Sequence, residues 1–93
     1  MLELTVYYRE DCHLCDALEH ELARFRQTSE IPFSVQRIDV DGAPDLARRY
    51  GHKVPVVTLG SAQVCHFFLD EDALRAELHN QAPVAASSQG GSG

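Results

Sequence analysis

Tyr8-Arg9-Glu10-Asp11-Cys12-His13-Leu14-Cys15 joins an extended segment to an amphipathic one, and its reading decides the fold. Upstream, Leu2, Leu4, Val6 and Tyr8 alternate with Glu3, Thr5 and Tyr7, a period-two pattern of strand formers that predicts β1 over residues 2–8. Downstream, Leu14, Leu18, Leu22 and Phe25 recur at spacings of four, four and three. That apolar stripe predicts α1 over residues 12–27, with Asp11 as its cap. Two thiols therefore fall where a strand turns into a helix, and the free N–H groups and partial positive charge of a helix start favour a thiolate. Cys12, in the first turn, is the candidate nucleophile. Cys15, one turn later and nearer the packed side, is the candidate resolving thiol.

The remaining chain reads as a support for this junction. Ile31-Pro32 breaks the helical pattern, and Phe33, Val35, Ile38 and Val40 mark a β2 of mixed phase, expected to be bulged or buried on more than one face. Asp41-Gly42-Ala43-Pro44 is a turn with a proline suited to the first helical position. Leu46, Ala47 and Tyr50 then carry α2 over 43–50, with Gly51 expected to close it in a left-handed cap. Val54, Val56, Val57 and Leu59 predict β3, in which Pro55 sits where a central strand would lose a hydrogen bond. Gly60-Ser61 turns the chain into β4, Gln63 to Phe68, and Asp70 caps an α3 that carries Ala73, Leu74 and Leu78 and ends near His79. The order β1-α1-β2-α2-β3-β4-α3, with two crossovers and a hairpin, predicts an α/β fold with one four-stranded mixed sheet flanked by helices. Residues 1–79 form the expected domain, and residues 80–93, rich in Ala, Ser, Gln and Gly, an expected disordered tail.

Composition excludes several function classes. The 93 residues carry a formal charge of −6 with no run of Lys or Arg, which argues against nucleic acid or an anionic membrane as partner. Without a long apolar run, three cysteines point to a reducing cytoplasmic setting, where a close pair is catalytic or metal-binding more often than structural. No metal is expected. A zinc site needs two further ligands, and Cys65 and His66, being adjacent on a strand, point to opposite faces. Cys65 reads as a small packed residue, His20, His52 and His79 as surface residues, and His13 either as an exposed polar residue or as one that tunes the redox poise.

Taken together, Cys12-His13-Leu14-Cys15 after β1, the segment Ile38-Asp39-Val40-Asp41, Tyr50-Gly51 and Val54-Pro55-Val56 resemble the thioredoxin fold superfamily, and more closely its small glutaredoxin-like proteins. The resemblance spans residues 2 to about 79. It implies a thioredoxin-like fold, a cis peptide bond before Pro55, and a Pro55 that faces the dithiol while Val54 offers main-chain groups to an extended substrate. By the same resemblance Asp70 matches the acidic residue that holds the glutathione amino group, although helix capping is its better supported role. Arg9 and Lys53 are candidate partners of a glutathione carboxylate. One departure matters: Phe67-Phe68-Leu69-Asp70 stands where glutathione-binding glutaredoxins carry a Gly-Gly pair, which counts against glutathione binding.

The activity so implied is thiol-disulfide exchange with a disulfide-containing protein or small molecule. No cofactor is expected, although glutathione could serve as co-substrate. The chain is expected to be a monomer recharged by glutathione or by thioredoxin reductase. The alternative is a non-catalytic interaction or redox-sensing module on the same fold.

Overall fold

The computed structural model of the chain describes residues 1–82. The elements are β1 (Leu2–Tyr8), α1 (His13–Thr28), β2 (Phe33–Asp39), α2 (Pro44–Tyr50), β3 (Val56–Leu59), β4 (Ala62–His66) and α3 (Glu71–Gln81), with a turn of 3-10 helix at Val40–Gly42. This is the order expected from the sequence. The four strands make one mixed sheet in the order β2-β1-β3-β4. β1 runs parallel to β2, since a helical crossover joins them, and antiparallel to β3, which pairs antiparallel with β4.

Alternation along the two central strands divides the core. Leu4 and Val6 of β1 and Val57 and Leu59 of β3 pack with Leu18, Leu22 and Phe25 of α1, Leu74 and Leu78 of α3, and Phe33. Their neighbours Tyr7 and Val56 turn the other way and meet Val40, Leu46, Tyr50 and Val54. Helices α1 and α3 thus cover one face and α2 the other, and all four residues of β3 are buried. Each large apolar side chain so enclosed stabilises the fold by about 1.5–3 kcal/mol relative to its exposed state.

The structure differs from the sequence expectations at several boundaries. β2 is neither bulged nor doubly buried: it is an edge strand in unbroken register from Leu2↔Phe33 to Tyr8↔Asp39. Its mixed phase arises because Phe33 belongs to the first core while Val40 has left the strand and joins the second. The irregularity lies instead between β3 and β4, at Val57/Thr58. β3 begins at Val56, after Pro55, and β4 ends at His66, because Phe67 adopts a positive φ of 66° and leaves the ladder.

Gly51 has φ −57°, so it closes α2 in the right-handed region and not in a left-handed cap. Close approach explains it: a Cβ there would lie 2.5 Å from the Ala47 carbonyl oxygen and 2.8 Å from Arg9 Nη2. Helix α3 passes the expected limit at residue 79 and runs to Gln81, whose Nε2 donates to the Leu59 carbonyl at 2.9 Å. Residues 80 and 81 therefore belong to the folded unit. The part of the expected tail beyond residue 82 lies outside the described residues.

The register also collects the loops that matter. Ile38, Tyr7, Val56 and His66 lie in one row across the four strands. The segments that continue beyond this row emerge at one end of the sheet. They are the 3-10 turn after β2, Arg9–Cys12 after β1, Lys53–Pro55 before β3, and Phe67–Asp70 after β4.

Candidate active site

At that end the chain leaves β1 and reverses at Asp11, which has φ 58°. Aspartate tolerates this left-handed geometry better than most residues because its short polar side chain can bond locally. The reversal displaces the helix start by one residue, so Cys12 and not Asp11 is the N-cap of α1. Cys12 is extended, and its Sγ accepts the backbone N–H of Cys15 at 3.0 Å, while its carbonyl accepts from Asp16 at 3.1 Å. A sulfur atom thereby takes the place that the oxygen of Ser, Asp or Asn holds in most caps.

Cys12 and Cys15 are disulfide-bonded, with Cα atoms 5.2 Å apart. Their surroundings differ. Cys12 is half-exposed, whereas Cys15 is only 1% exposed and lies behind it toward the core. His13 and Leu14 between them are exposed.

The Val54–Pro55 peptide is cis, Pro55 is fully buried, and its carbonyl accepts the N–H of Phe67 at 2.9 Å. That bond ties the loop after β4 to the loop before β3. Arg9 makes a second tie. Its Nε and Nη2 donate to the two oxygens of Asp41 at 3.0 and 3.2 Å, and Nη1 donates to the Gly51 carbonyl at 3.0 Å. The loop that carries Cys12 is thus fastened both to the 3-10 turn and to the end of α2. The sequence signal that would have found this role is Gly51, whose missing Cβ makes room for the guanidinium.

The other candidate residues are separated by their contacts. Asp70 is the N-cap of α3, its Oδ1 accepting from Ala73 N at 3.0 Å. Lys53 is half-exposed, and its backbone N–H donates to the Tyr50 carbonyl. Cys65 is half-buried against the core covered by α1 and α3, and burial pushes its thiol up from the ordinary value of 9.0. His66 is exposed, its ring 4.8 Å from that of Phe67. Among the described residues, no group of three or more His, Cys, Asp or Glu side chains is placed to hold a metal ion. No helix there is long and apolar enough to cross a membrane.

A junction of this kind, on this sheet, has known relatives. The family model for the glutaredoxin-like domain (DUF836) matches residues 3–79. The chain belongs to this glutaredoxin-like family. An uncharacterized protein of Mycobacterium bovis is 33% identical over 81 residues, which cover 82% of this chain and 81% of that one. A solution structure of a protein from Nitrosomonas europaea matches with a TM-score of 0.73 and 36% identity, over 82% of this chain and 89% of the other. The oxidized form of mitochondrial thioredoxin 3 from Saccharomyces cerevisiae matches with a TM-score of 0.60 over 85% of this chain and 77% of that chain. At 20% identity it speaks for the fold alone, which is thioredoxin-like.

Proposed function

We propose that this glutaredoxin-like chain is a thiol-disulfide oxidoreductase. In the reduced state Cys12 attacks one sulfur of a substrate disulfide, forms a mixed disulfide, and releases the other substrate sulfur as a thiolate. Cys15 then attacks Cys12 Sγ, which frees the second substrate thiolate and closes the Cys12–Cys15 bond. Two electrons pass from the dithiol to the substrate, and a separate thiol reductant, glutathione or thioredoxin reductase, restores the pair.

The observation that carries the reading is the unequal exposure of the two bonded sulfurs at a helix start. An attacker must be reached from outside, and a resolving thiol must be reached only by the attacker. Cys12 and Cys15 meet those two demands. The substrates that fit are proteins or small molecules carrying a disulfide.

Glutathione is the less favoured partner, because two of its candidate contacts are engaged elsewhere. Arg9 is held by Asp41 and Gly51, and the Asp70 carboxylate caps α3. The test is the rate of reduction of an unhindered aromatic disulfide by Cys12→Ser and by the unaltered protein, each with dithiothreitol as reductant. The substitution removes the nucleophile and should abolish the protein-dependent rate; a retained rate sinks the assignment.

A further inference from the structure

Phe67 and Phe68 stand out on this surface. Among the large apolar side chains, only Met1, Leu14, Phe67 and Phe68 are exposed within the described residues, and the last three belong to segments at the dithiol end of the sheet. Phe68 is 68% exposed. Phe67 has φ 66°, and the N–H of Phe68 donates to the His66 carbonyl at 2.7 Å, so the pair forms a tight three-residue turn centred on Phe67. That turn is a rare and strained one, and a bulky aromatic is a poor choice for its centre. Glycine would fill the position at no steric cost. The aromatic is held there nonetheless: the Phe67 N–H is bonded to Pro55, and its ring meets His66. Strain and aromatic exposure at one point, at the same end of the sheet as the dithiol, indicate a recognition role.

The surroundings indicate what is recognised. Phe68, Leu69, Val64 and Cys65 line an open groove of about 750 Å³ together with His66 and the acidic Asp70, Glu71 and Asp72. Glu10, Asp11 and Asp16, all exposed, add negative charge around the dithiol. Of the nearby cations, Arg9 is paired with Asp41, and Arg75 with Glu71 and Asp72, so the acidic residues still outnumber the basic ones. A lining that mixes apolar and acidic side chains complements a segment that carries both apolar and basic side chains, and repels an acidic one.

Building on the proposed disulfide exchange, we infer that the Phe67-Phe68 turn and the groove beside it form the substrate-selecting surface. The occupant is a polypeptide segment with an apolar residue next to its disulfide cysteine and a Lys or Arg beyond it. The apolar side chain rests on Phe68, and the cation faces Glu71 and Asp72 in competition with Arg75, whose exposed pairs with both carboxylates leave the stretch Asp70-Glu71-Asp72 net negative. This substrate class is far larger than glutathione, and it is cationic where glutathione is anionic.

Two measurements test the inference, and the first does not require turnover. Fluorescence anisotropy compares two labelled peptides in which serine replaces the disulfide cysteine, one Lys-Leu-Ser-Leu-Lys and the other Glu-Ser-Ser-Ser-Glu. The first should bind more tightly by at least tenfold, less so in 0.5 M salt, and Phe68→Ala should reduce that preference toward unity. Equal binding of the two peptides, or a preference unaffected by Phe68→Ala, overturns the inference whether or not the dithiol is active.

The second measurement is the ratio of rates for mixed disulfides of the two corresponding cysteine peptides. A ratio near one overturns the selecting role. Loss of all exchange, with peptide preference intact, refutes the oxidoreductase reading and leaves the binding surface standing.

Discussion

The Sγ of Cys12 accepts the backbone N–H of Cys15 at 3.0 Å, and a substitution that changes only the Cys15 side chain leaves that donor in the chain. A donor from the first turn of a helix favours negative charge on the sulfur that receives it. In Cys15→Ser the nucleophile therefore keeps its activation but loses its resolver. Exposure of that variant to an aromatic disulfide should accumulate a mixed disulfide at Cys12, seen as a stable mass adduct. At pH 7 Cys12 should also be alkylated by iodoacetamide at least about tenfold faster than Cys65 in the same molecule. Equal rates at the two thiols would show that the helix start confers no activation.

Gly51 gives a prediction about the latch beneath the site. Its φ of −57° suits any residue, so an added methyl group is opposed by contact alone. The new Cβ would lie 2.5 Å from the Ala47 carbonyl oxygen and 2.8 Å from Arg9 Nη2. The first neighbour is backbone and cannot yield cheaply; the second is a flexible side chain that can. Gly51→Ala should therefore destabilise the fold by roughly 1–3 kcal/mol, as overpacking does, and also loosen the Arg9–Asp41 pair. Urea unfolding reads the first effect. Chemical shifts of the Arg9 Nε–H read the second, and a variant as stable as the parent would refute the close approach.

Much of this was legible in the sequence because its signals were local. The alternation of Leu2 to Tyr8 and the stripe Leu14, Leu18, Leu22, Phe25 gave β1 and α1 within a residue or so, and the cysteine pair marked the junction between them. What was hidden depended on distant parts of the chain. Gly51 does close α2, but its missing Cβ makes room both for the Ala47 carbonyl and for the Arg9 guanidinium, and the second of these lies 42 positions away. The phase of β2 was obscured because Phe33 and Val40 serve opposite faces of the sheet. Asp11 passed for a cap since its sequence position allows one, and only the left-handed backbone shows that Cys12 takes the role. Phe67 and Phe68 looked like strand residues, and no local rule puts an aromatic at positive φ.

Cys65 yields a prediction about pH. Burial raises its pKa in the folded chain above the unfolded value, so the folded state holds this proton to higher pH than the unfolded state does. The stability it contributes is complete below the unfolded pKa and is lost as pH rises through the folded one. In a chain with Cys12 and Cys15 replaced by serine, the urea midpoint should fall more steeply as pH rises past the ordinary thiol value of 9.0 than in the same chain with Cys65→Ala. The comparison of slopes cancels tyrosine and lysine titration, which both chains share. Parallel slopes would mean that the Cys65 thiol is as well solvated folded as unfolded.

The end of α3 supplies the last expectation, because one side chain there secures the end of a central strand. Gln81 Nε2 donates to the Leu59 carbonyl at the close of β3 and to Glu77 Oε2 at 2.8 Å. No residue beyond Leu78 adds a buried apolar side chain to either core among the described residues. A chain ending at residue 82 should accordingly unfold at the same urea concentration as the full chain. A chain ending at residue 79 loses the Gln81 bond and leaves the part-buried Leu59 carbonyl without that donor, at a cost of about 1–2 kcal/mol. Within the 82-residue chain, Gln81→Glu should reproduce most of that loss, since a carboxylate cannot donate to a carbonyl and stands beside Glu77. If ending the chain at 79 and at 82 gave the same midpoint, the helix would be held by Leu74 and Leu78 alone, and the boundary first read at His79 would be the right one.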